Sequence, residues 1–381
     1  MRMLVMESGS LHTDSIRPSS VGMSGVAKVD SLRKVHGVAG GAIKASYQLY
    51  SHFRAKKGME VHSFADFSPF GVRQEFTDSR GALSMDYDFI LMNSLRDVML
   101  VDGYVKTHGT TRTIYTDRGN ALVNYSLPSA MSKLSPKAIA MGHLLRSMRK
   151  WLGVYVAITA EQRTAAGKFF GPNTRLAYIP IAPDGSFRRL GRARRFAGAV
   201  YVGRLDERQK RVSFLIAGIA RLVKEHPSLA GSELVRVYGS GPDEQNYRRL
   251  ARAYGVSRCI SFRGFASGQK LVSAYNDAGF LVSTSDWESP GRVFLEAMAC
   301  GTPVLLNDRV NCDMPPGGRL IKDGVNGMVY RHGDADSFIS KFYQMYSKPG
   351  LLRRLSANAY RSSRVFSLKG TMERYDRLVL G

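Results

Sequence analysis

The chain has 381 residues, enough for two domains of ordinary size, and its 44% hydrophobic and 23% charged residues exclude wholesale disorder. No apolar run approaches the roughly 20 residues that cross a bilayer, and the start is too short and polar for a secretory signal. Three cysteines without CxxC or metal-ligand spacing argue against a disulfide framework, so we expect a cytoplasmic protein. A formal charge of +24 predicts an anionic partner, either nucleic acid, an acidic membrane surface or a phosphorylated substrate.

Short apolar segments alternate with longer helical segments along the chain, a pattern typical of parallel sheets covered by helices. In the first half, a helix is predicted over 41–57 and strands over 3–6, 61–64, 89–92, 113–115, 154–158 and 176–179. After a basic break at 188–197, strands are predicted over 200–202, 234–238, 259–262, 280–283, 304–306 and 328–330, with helices between them. The sequence therefore predicts two Rossmann-like α/β domains, residues 1–188 and 189–363.

The most informative segment is 285–304, SDWESPGRVFLEAMACGTPV. An apolar strand ends before it, a Pro/Gly turn follows, and a helix begins near Gly291, so free N–H groups at the helix start can bind phosphate. Glu288 and Glu296 stand eight positions apart, and a carboxylate suits the vicinal hydroxyls of a ribose or sugar ring. Composition alone favours the alternative, an ordinary helix–strand unit with two solvated glutamates.

The segment resembles the Glu-x7-Glu signature of retaining family-4 glycosyltransferases. The resemblance implies that Glu296 holds the nucleotide ribose and that Glu288 lies near the donor sugar. It also implies that backbone amides of the turn contact the sugar and diphosphate, through Ser289, Pro290, Gly291, Arg292 and Val293. Arg292 replaces the apolar residue usual in the family, which bears on the choice of donor sugar.

A second segment, 201–211, YVGRLDERQKR, directly follows a predicted strand. It resembles the family's Gly-Arg-Leu…Lys element, which implies that Gly203, Arg204 and Lys210 bind the donor diphosphate. Fixed cations suit this task, because negative charge builds on the leaving diphosphate as the glycosidic bond breaks. The spacing is one residue longer than the usual family form, so Arg208 or Arg211 could share the role.

Weaker elements complete the predicted site. Gly239 belongs to a Gly-x-Gly-Pro turn that either approaches the donor or only closes a tight turn, and Arg263 lies in a segment that resembles the nucleobase-reading strand. In the first domain, Gly40 and Gly41 resemble the glycine-rich loop that approaches the donor phosphates. Asp117 follows a strand at a point where many relatives carry a His next to an acid; here Thr116 replaces that His. Asp117 or Arg118 could still contact acceptor or sugar hydroxyls, and the alternative is a structural turn.

The resemblance implies the GT-B fold, with two parallel sheets facing across a cleft and a C-terminal helix, 364–381, that returns to the first domain. It implies hexosyl transfer from a UDP- or GDP-sugar with retention of anomeric configuration, without a cofactor or an essential metal. A nucleotide-sugar epimerase can share the architecture, because fold does not fix function.

The acceptor stays open. An envelope glycan or lipid-linked saccharide on the inner face of an anionic membrane fits the basic charge. Residues 135–152 carry apolar and basic residues at helical spacing, which suits a membrane surface or packing against the chain's own sheet. Hydroxymethylated DNA bases are the rival acceptor, since phosphate attraction would use the same charge.

Overall fold

The computed structural model describes residues 1–7, 41–65, 71–76, 78–109, 111–118, 121–122, 136–191, 195–288, 291–313 and 318–381. The chain forms two compact units, one of Met1–Pro180 with Met372–Gly381 and one of Ile181–Thr371. The expected divisions stood at 188/189 and 363/364, eight residues from each of these borders. Among the predicted site residues, Gly40, Ser289 and Pro290 lie outside the described residues.

The first unit is built on a six-stranded sheet with strand order β2-β1-β3-β4-β5-β6 and parallel pairing throughout. The strands are β1 Arg2–Met6, β2 Glu60–Phe64, β3 Phe89–Met92, β4 Arg112–Thr116, β5 Val154–Ala157 and β6 Arg175–Tyr178. Strands of such a sheet are covered on both faces, which explains why β3 is buried along its whole length and reads as a continuous apolar run.

Five helices are described within residues 1–180: α1 Gly41–Arg54, α2 Ser79–Ala82, α3 Leu95–Thr107, α4 Pro136–Met148 and α5 Ala160–Phe169. Two of them begin with capping boxes, Ser94 with Asp97 in α3 and Thr159 with Gln162 in α5, which satisfy the first N–H groups of each helix. In α4, Leu145 is fully buried in the core of the unit. Met148 is buried as well, whereas Ile139 is 41% exposed, so only the C-terminal part of the apolar side packs inside the protein.

The second unit has a six-stranded parallel sheet with strand order β12-β11-β10-β7-β8-β9. Its strands are β7 Phe196–Val202, β8 Val235–Tyr238, β9 Ile260–Gly264, β10 Ala278–Val282, β11 Val304–Asn307 and β12 Gly327–Tyr330. Counted from β7, this is the Rossmann order 3-2-1-4-5-6, in which the chain reverses direction across the sheet between β7 and β10. The prediction of two α/β domains with parallel sheets is confirmed.

The helices of the second unit are α6 Glu207–Lys210, α7 Val212–Glu225, α8 Glu244–Ala253, α9 Gly268–Asp277, α10 Arg292–Ala299, α11 Ala335–Ser347 and α12 Pro349–Ser363. Helix α7 packs on α11 through Gly218, where an added Cβ would lie 2.5 Å from the Phe338 ring. The close approach of these helices thus requires glycine. No described helix is long and apolar enough to cross a membrane.

The last helix, α13 Leu368–Val379, carries the C-terminal residues back to the first unit. The Tyr375 hydroxyl bonds to Thr116 Oγ1 at 2.9 Å, at the end of β4. Asp376 accepts from Lys56 Nζ at 2.8 Å and bonds to His52 Nε2 at 2.7 Å, both near the end of α1. The predicted return of the C-terminal helix is confirmed.

We expect Asp376→Asn to lower the free energy of unfolding by about 1–2 kcal/mol at pH 7, because the partly buried Lys56 loses its charged partner. Burial raises the pKa of Asp376, but hydrogen bonds from Lys56 and His52 outweigh this and hold it below its usual value. Because the pKa of Asp376 is lower in the folded than in the unfolded chain, its carboxylate stabilises the fold at pH values above the unfolded pKa of about 3.9. This stabilisation is lost as the pH falls through the pKa of the folded state. Urea denaturation should therefore show a difference at pH 7 that shrinks toward pH 3.

The matched control is Asp336→Asn, which breaks an exposed pair with Arg221. Exposed pairs contribute little, so we expect a change within about 0.5 kcal/mol. Equal losses in the two variants, or a difference that grows toward low pH, would contradict the role given to the C-terminal pair.

Candidate functional site

The candidate site lies where the strand order of the second unit reverses. Strands β7 and β10 are neighbours in the sheet, and they are parallel, so their carboxyl ends lie at the same edge. The segment that begins with Gly203 follows β7, and the segment that ends with Glu288 follows β10. In open α/β sheets, ligands bind outside the carboxyl ends of the strands at this switch point.

An ion pair between Lys210 Nζ and Glu288 Oε1 joins the two segments. Both side chains are largely buried, with 14% and 10% exposed, so the charges interact with little screening by water. Ser285 Oγ donates a further hydrogen bond to Glu288 Oε1 at 2.9 Å. The structure thus brings together Lys210, which the resemblance assigns to the donor diphosphate, and Glu288, which it assigns to the donor sugar.

Backbone and amide contacts fix the same two segments to each other. Asp286 N donates to Gln209 O at 2.8 Å, and Gln209 Nε2 donates to Trp287 O at 3.1 Å. Thr284 Oγ1 donates to Lys210 O at 2.9 Å. The loops after β7 and β10 therefore form one connected surface.

Arg204 presents a cation to solvent beside this surface. Its side chain is 62% exposed, and its Nη2 lies 2.9 Å from Oδ2 of the buried Asp206. The Tyr201 hydroxyl donates to the Arg204 carbonyl oxygen at 3.2 Å, and burial raises the pKa of Tyr201 well above its usual value. Arg208 is more exposed still, at 83%. Within the described ranges, no three His, Cys, Asp or Glu side chains group as metal ligands.

Glycines allow the turns after β7 and β8 to pack backbone against backbone. Gly203 N donates to Tyr238 O at 3.0 Å, and Gly239 N donates to Gly264 O at 2.9 Å. A Cβ on Gly239 would lie 1.8 Å from Gly203 O. Only glycine fits at this position, and the tight turn that the sequence left open is present.

Helix α10 carries the second glutamate of the motif. The helix begins after Gly291, and Glu296 is buried with its Oε2 3.4 Å from the Tyr275 hydroxyl. Arg292 Nε lies 3.8 Å from Glu296 Oε1, one helical turn away, and Val293 is partly buried. The unusual arginine of the motif thus lies next to the glutamate that the resemblance assigns to the ribose.

The Arg263 side chain contacts none of the other predicted site residues in the contacts described, and pairs instead with Glu233. Its Nη2 lies 2.6 Å from Glu233 Oε1, just before the amino end of β8, and its Nε donates to Ser261 Oγ at 3.0 Å. Burial raises the pKa of Glu233, but hydrogen bonds from Arg236, Ser261 and Arg263 outweigh it and lower that pKa to about 2. The Arg263 side chain is therefore held by a carboxylate before the amino end of β8, whereas Arg204 and Lys210 lie beyond the carboxyl end of the neighbouring strand β7.

Asp117 follows β4 in the first unit and is fully buried. Its Oδ1 accepts from Ala121 N at 2.8 Å, and its Oδ2 accepts from the Tyr155 hydroxyl at 2.6 Å. These bonds hold the chain after β4 in its turn. The structure thus places Asp117 in the interior of the first unit.

The neighbouring residue, Arg118, takes part in a polar cluster that the sequence did not predict. Arg118 Nη1 donates to Ser46 Oγ at 2.8 Å and lies 3.8 Å from Glu7 Oε2, while Ser46 Oγ donates to Glu7 Oε2 at 2.8 Å. Glu7 is buried directly after β1. The signal in the sequence that could have indicated this cluster is Glu7, a charged residue at the end of an apolar strand. Ser46 lies on α1, the helix that begins at Gly41.

A second cluster that the sequence did not predict is formed around Asp286, two residues before Glu288. Asp286 Oδ1 accepts from His332 Nε2 at 2.7 Å and lies 3.3 Å from Arg211 Nη1. Burial raises the pKa of Asp286, but the hydrogen bond from His332 and the charge of Arg211 outweigh it and hold that pKa below its usual value. Asp286 stands inside the 285–304 segment, but its partner His332 follows β12, far from both motifs.

Residues 187–362 match the family model of glycosyl transferases group 1. The chain is 32% identical over 167 residues to D-inositol 3-phosphate glycosyltransferase of Streptomyces bingchenggensis, an alignment that covers 42% of this chain and 35% of that protein. It is 30% identical over 151 residues to lipopolysaccharide 1,6-galactosyltransferase of Salmonella typhimurium, covering 39% of each chain. The chain thus spans between a third and two fifths of the length of these two relatives.

Among solved structures, Anabaena HepE in complex with UDP and glucose resembles the whole chain. The TM-score is 0.71 at 15% sequence identity, over 100% of this chain and 99% of HepE. At this identity the likeness concerns the fold alone. The chain has the predicted GT-B fold, and its second unit carries the segment that matches group 1 glycosyl transferases.

Proposed function

We propose that the protein transfers a hexosyl group from a nucleoside-diphosphate sugar to an acceptor hydroxyl, with retention of anomeric configuration. The observation that carries the proposal is the Lys210–Glu288 ion pair, which joins the two sequence motifs at the switch point of the second sheet. The match of residues 187–362 to group 1 glycosyl transferases supports it. HepE, of the same fold, is described with UDP and glucose, which supports a UDP-sugar donor.

In this proposal, Arg204 and Lys210 bind the donor diphosphate. The exposed guanidinium of Arg204 can form two parallel hydrogen bonds to phosphate oxygens, and Lys210 adds a charge that is shielded from water. The start of α10 adds backbone N–H groups and the positive end of the helix dipole. Glu296 accepts hydrogen bonds from the ribose hydroxyls.

The same groups serve the chemistry. As the bond between sugar and diphosphate breaks, negative charge grows on the leaving phosphate, and fixed cations stabilise that charge more than the charge of the bound donor. A departing phosphate oxygen can take the proton of the acceptor hydroxyl on the same face of the sugar, which gives retention. Glu288, held by Lys210 and Ser285, accepts from a sugar hydroxyl.

In the first unit we propose that Asp117 acts as a positioning residue. Its buried carboxylate holds the turn after β4, which sets the place of Arg118 in the cluster with Glu7 and Ser46. The resemblance assigns the approach to the donor phosphates to Gly40 and Gly41. Arg263 is proposed to act through its backbone near the nucleobase, since Glu233 holds its side chain.

The proposed acceptor is an anionic envelope glycan or lipid-linked saccharide at the cytoplasmic face of a membrane. The charge of +24 favours a negatively charged acceptor or surface. Two relatives are named for a phosphorylated inositol and for lipopolysaccharide, which supports this class. Binding to anionic liposomes and to duplex DNA across a salt series tests it; preferential DNA binding would favour hydroxymethylated DNA bases instead.

We expect Arg204→Ala and Glu296→Ala each to lower kcat/KM about a hundredfold or more, because each removes a contact to the donor. Labelled UDP- and GDP-sugars report transfer and hydrolysis, and proton NMR of the product reports the anomeric configuration. The matched control is Arg221→Ala, which removes an arginine of α7 that is 47% exposed and lies outside both motifs, and it should retain most activity. A folded Arg204→Ala/Glu296→Ala double variant that keeps more than about a tenth of wild-type kcat/KM, a loss under ~1.4 kcal/mol, would refute the assignment.

We further expect that EDTA leaves the transfer rate within about twofold of the untreated enzyme. In the proposal, Arg204 and Lys210 supply the positive charge that a divalent cation supplies in other transferases. The rate is measured with EDTA and again after adding Mg²⁺ or Mn²⁺ in excess. A loss of tenfold or more that Mn²⁺ restores would show that a metal takes part.

A further inference from the structure

Trp287, the residue directly before Glu288, exposes a large apolar side chain. It is 53% exposed. The other tryptophan of the chain, Trp151, is partly buried and donates from its indole Nε1 to Asp102 at 2.9 Å. Single exposed apolar residues are common and by themselves need no explanation. Trp287 differs from such residues because hydrogen bonds fix the backbone on both sides of it.

The chain before Trp287 is fixed by neighbouring elements. Asn307 Nδ2, at the end of β11, donates to the Ser285 carbonyl oxygen at 2.9 Å. Asp286 N donates to Gln209 O at 2.8 Å. These bonds fix the backbone that leads to Trp287.

The chain after Trp287 is fixed as well. Gln209 Nε2 donates to the Trp287 carbonyl oxygen at 3.1 Å, and the next residue, Glu288, is bound by Lys210 and Ser285. An exposed aromatic ring and a largely buried carboxylate thus follow each other on a fixed backbone. A ligand that binds both loses little affinity to ordering of the loop.

This pair of groups matches the chemistry of a pyranose ring. Such a ring presents C–H groups on its faces and hydroxyls around its rim, so an aromatic face can cover the first while a carboxylate accepts from the second. Small-molecule sites commonly combine aromatic lining with a few placed polar groups. We propose that Trp287 and Glu288 form a saccharide subsite in which the indole stacks on a pyranose ring.

The inference deepens the proposed function and rests on it. The ring belongs either to the donor sugar or to the acceptor saccharide, which present the same chemistry to the indole. Nucleotides with and without a sugar, and simple glycosides, distinguish the two sources.

The first experiment uses Trp151→Phe, which leaves Trp287 as the sole fluorophore of its kind. Acrylamide quenching is measured with UDP, GDP, UDP-glucose, UDP-galactose, GDP-mannose, and methyl α-D-glucopyranoside in the presence of UDP. Stacking on the donor sugar should reduce quenching about twofold with a sugar nucleotide and not with its diphosphate alone. Stacking on the acceptor should give that protection with the glycoside. Unchanged quenching with every sugar-bearing ligand that calorimetry shows to be bound would overturn the inference.

The second experiment compares Trp287→Ala with Trp287→Phe, keeping Trp151. We expect the KM for the sugar-bearing substrate to rise about tenfold in Trp287→Ala and only two- to threefold in Trp287→Phe, which retains an aromatic face. The Kd for UDP should stay within twofold in both. The control Tyr254→Ala removes another exposed aromatic side chain of the second unit, 50% exposed, and should change neither constant.

The two proposals fail in different ways. If no UDP- or GDP-sugar binds or reacts with the wild-type protein, the proposed function fails and the subsite fails with it. If donors react but Trp287→Ala has the wild-type KM, only the subsite is refuted. Because the indole is exposed, both Trp287 variants should keep the wild-type urea midpoint, and an equal KM rise in Trp287→Ala and Trp287→Phe would indicate a structural cause that also overturns the stacking role.

Discussion

The site depends on one contact, the ion pair between Lys210 and Glu288. The two residues are 78 positions apart in the sequence and meet only because β10 lies next to β7 in the sheet. In a sheet where another strand lay between β7 and β10, the loops that carry Lys210 and Glu288 would not be neighbours and the ion pair would not form. Largely buried charges are costly when unpaired, so the pair also holds the two loops in one arrangement. The topology of the sheet is thus the first requirement for the chemistry that we propose.

The second requirement is close packing of the turns that follow β7 and β8, which glycine residues make possible. The turns after β7 and β8 lie in contact, with Gly239 against Gly203 and Gly241 against Leu205, where an added Cβ would lie 2.3 Å from the Leu205 oxygen. These contacts leave no room for side chains between the turns. Polar side chains such as Arg204 are therefore presented at the sheet edge from a backbone that neighbouring turns support.

Much of this arrangement could be predicted from the sequence, because strands buried on both faces are continuous apolar runs. The predicted strand 89–92 coincides with β3. Residues 203–211 follow β7 and the segment 285–304 follows β10, as expected. The glutamate partner of Arg263 and the Glu7–Ser46–Arg118 cluster could not be predicted, because side chains far apart in sequence form them. Such contacts depend on strand register and rotamers. The sequence marks Glu7 as a charged residue at the end of an apolar strand, but it does not identify its partners. The burial of Asp117 could not be predicted for the same reason, because its carboxylate accepts hydrogen bonds from Tyr155 on the adjacent β5 and from the backbone after β4.

Arg211 shows how the network extends beyond the motifs. It has φ 47° and ψ 48°, the left-handed region, which costs a non-glycine residue roughly 1–2 kcal/mol. The turn that it makes separates α6 from α7 directly after Lys210. A glycine would relieve the strain but would remove the contact to Asp286, which also accepts from His332. Arg211 is therefore strained locally, but through Asp286 it connects the α6–α7 turn with the loop after β10 and the end of β12. Because Glu288 lies two residues beyond Asp286 on the same loop, its position depends on His332, a residue outside both sequence motifs.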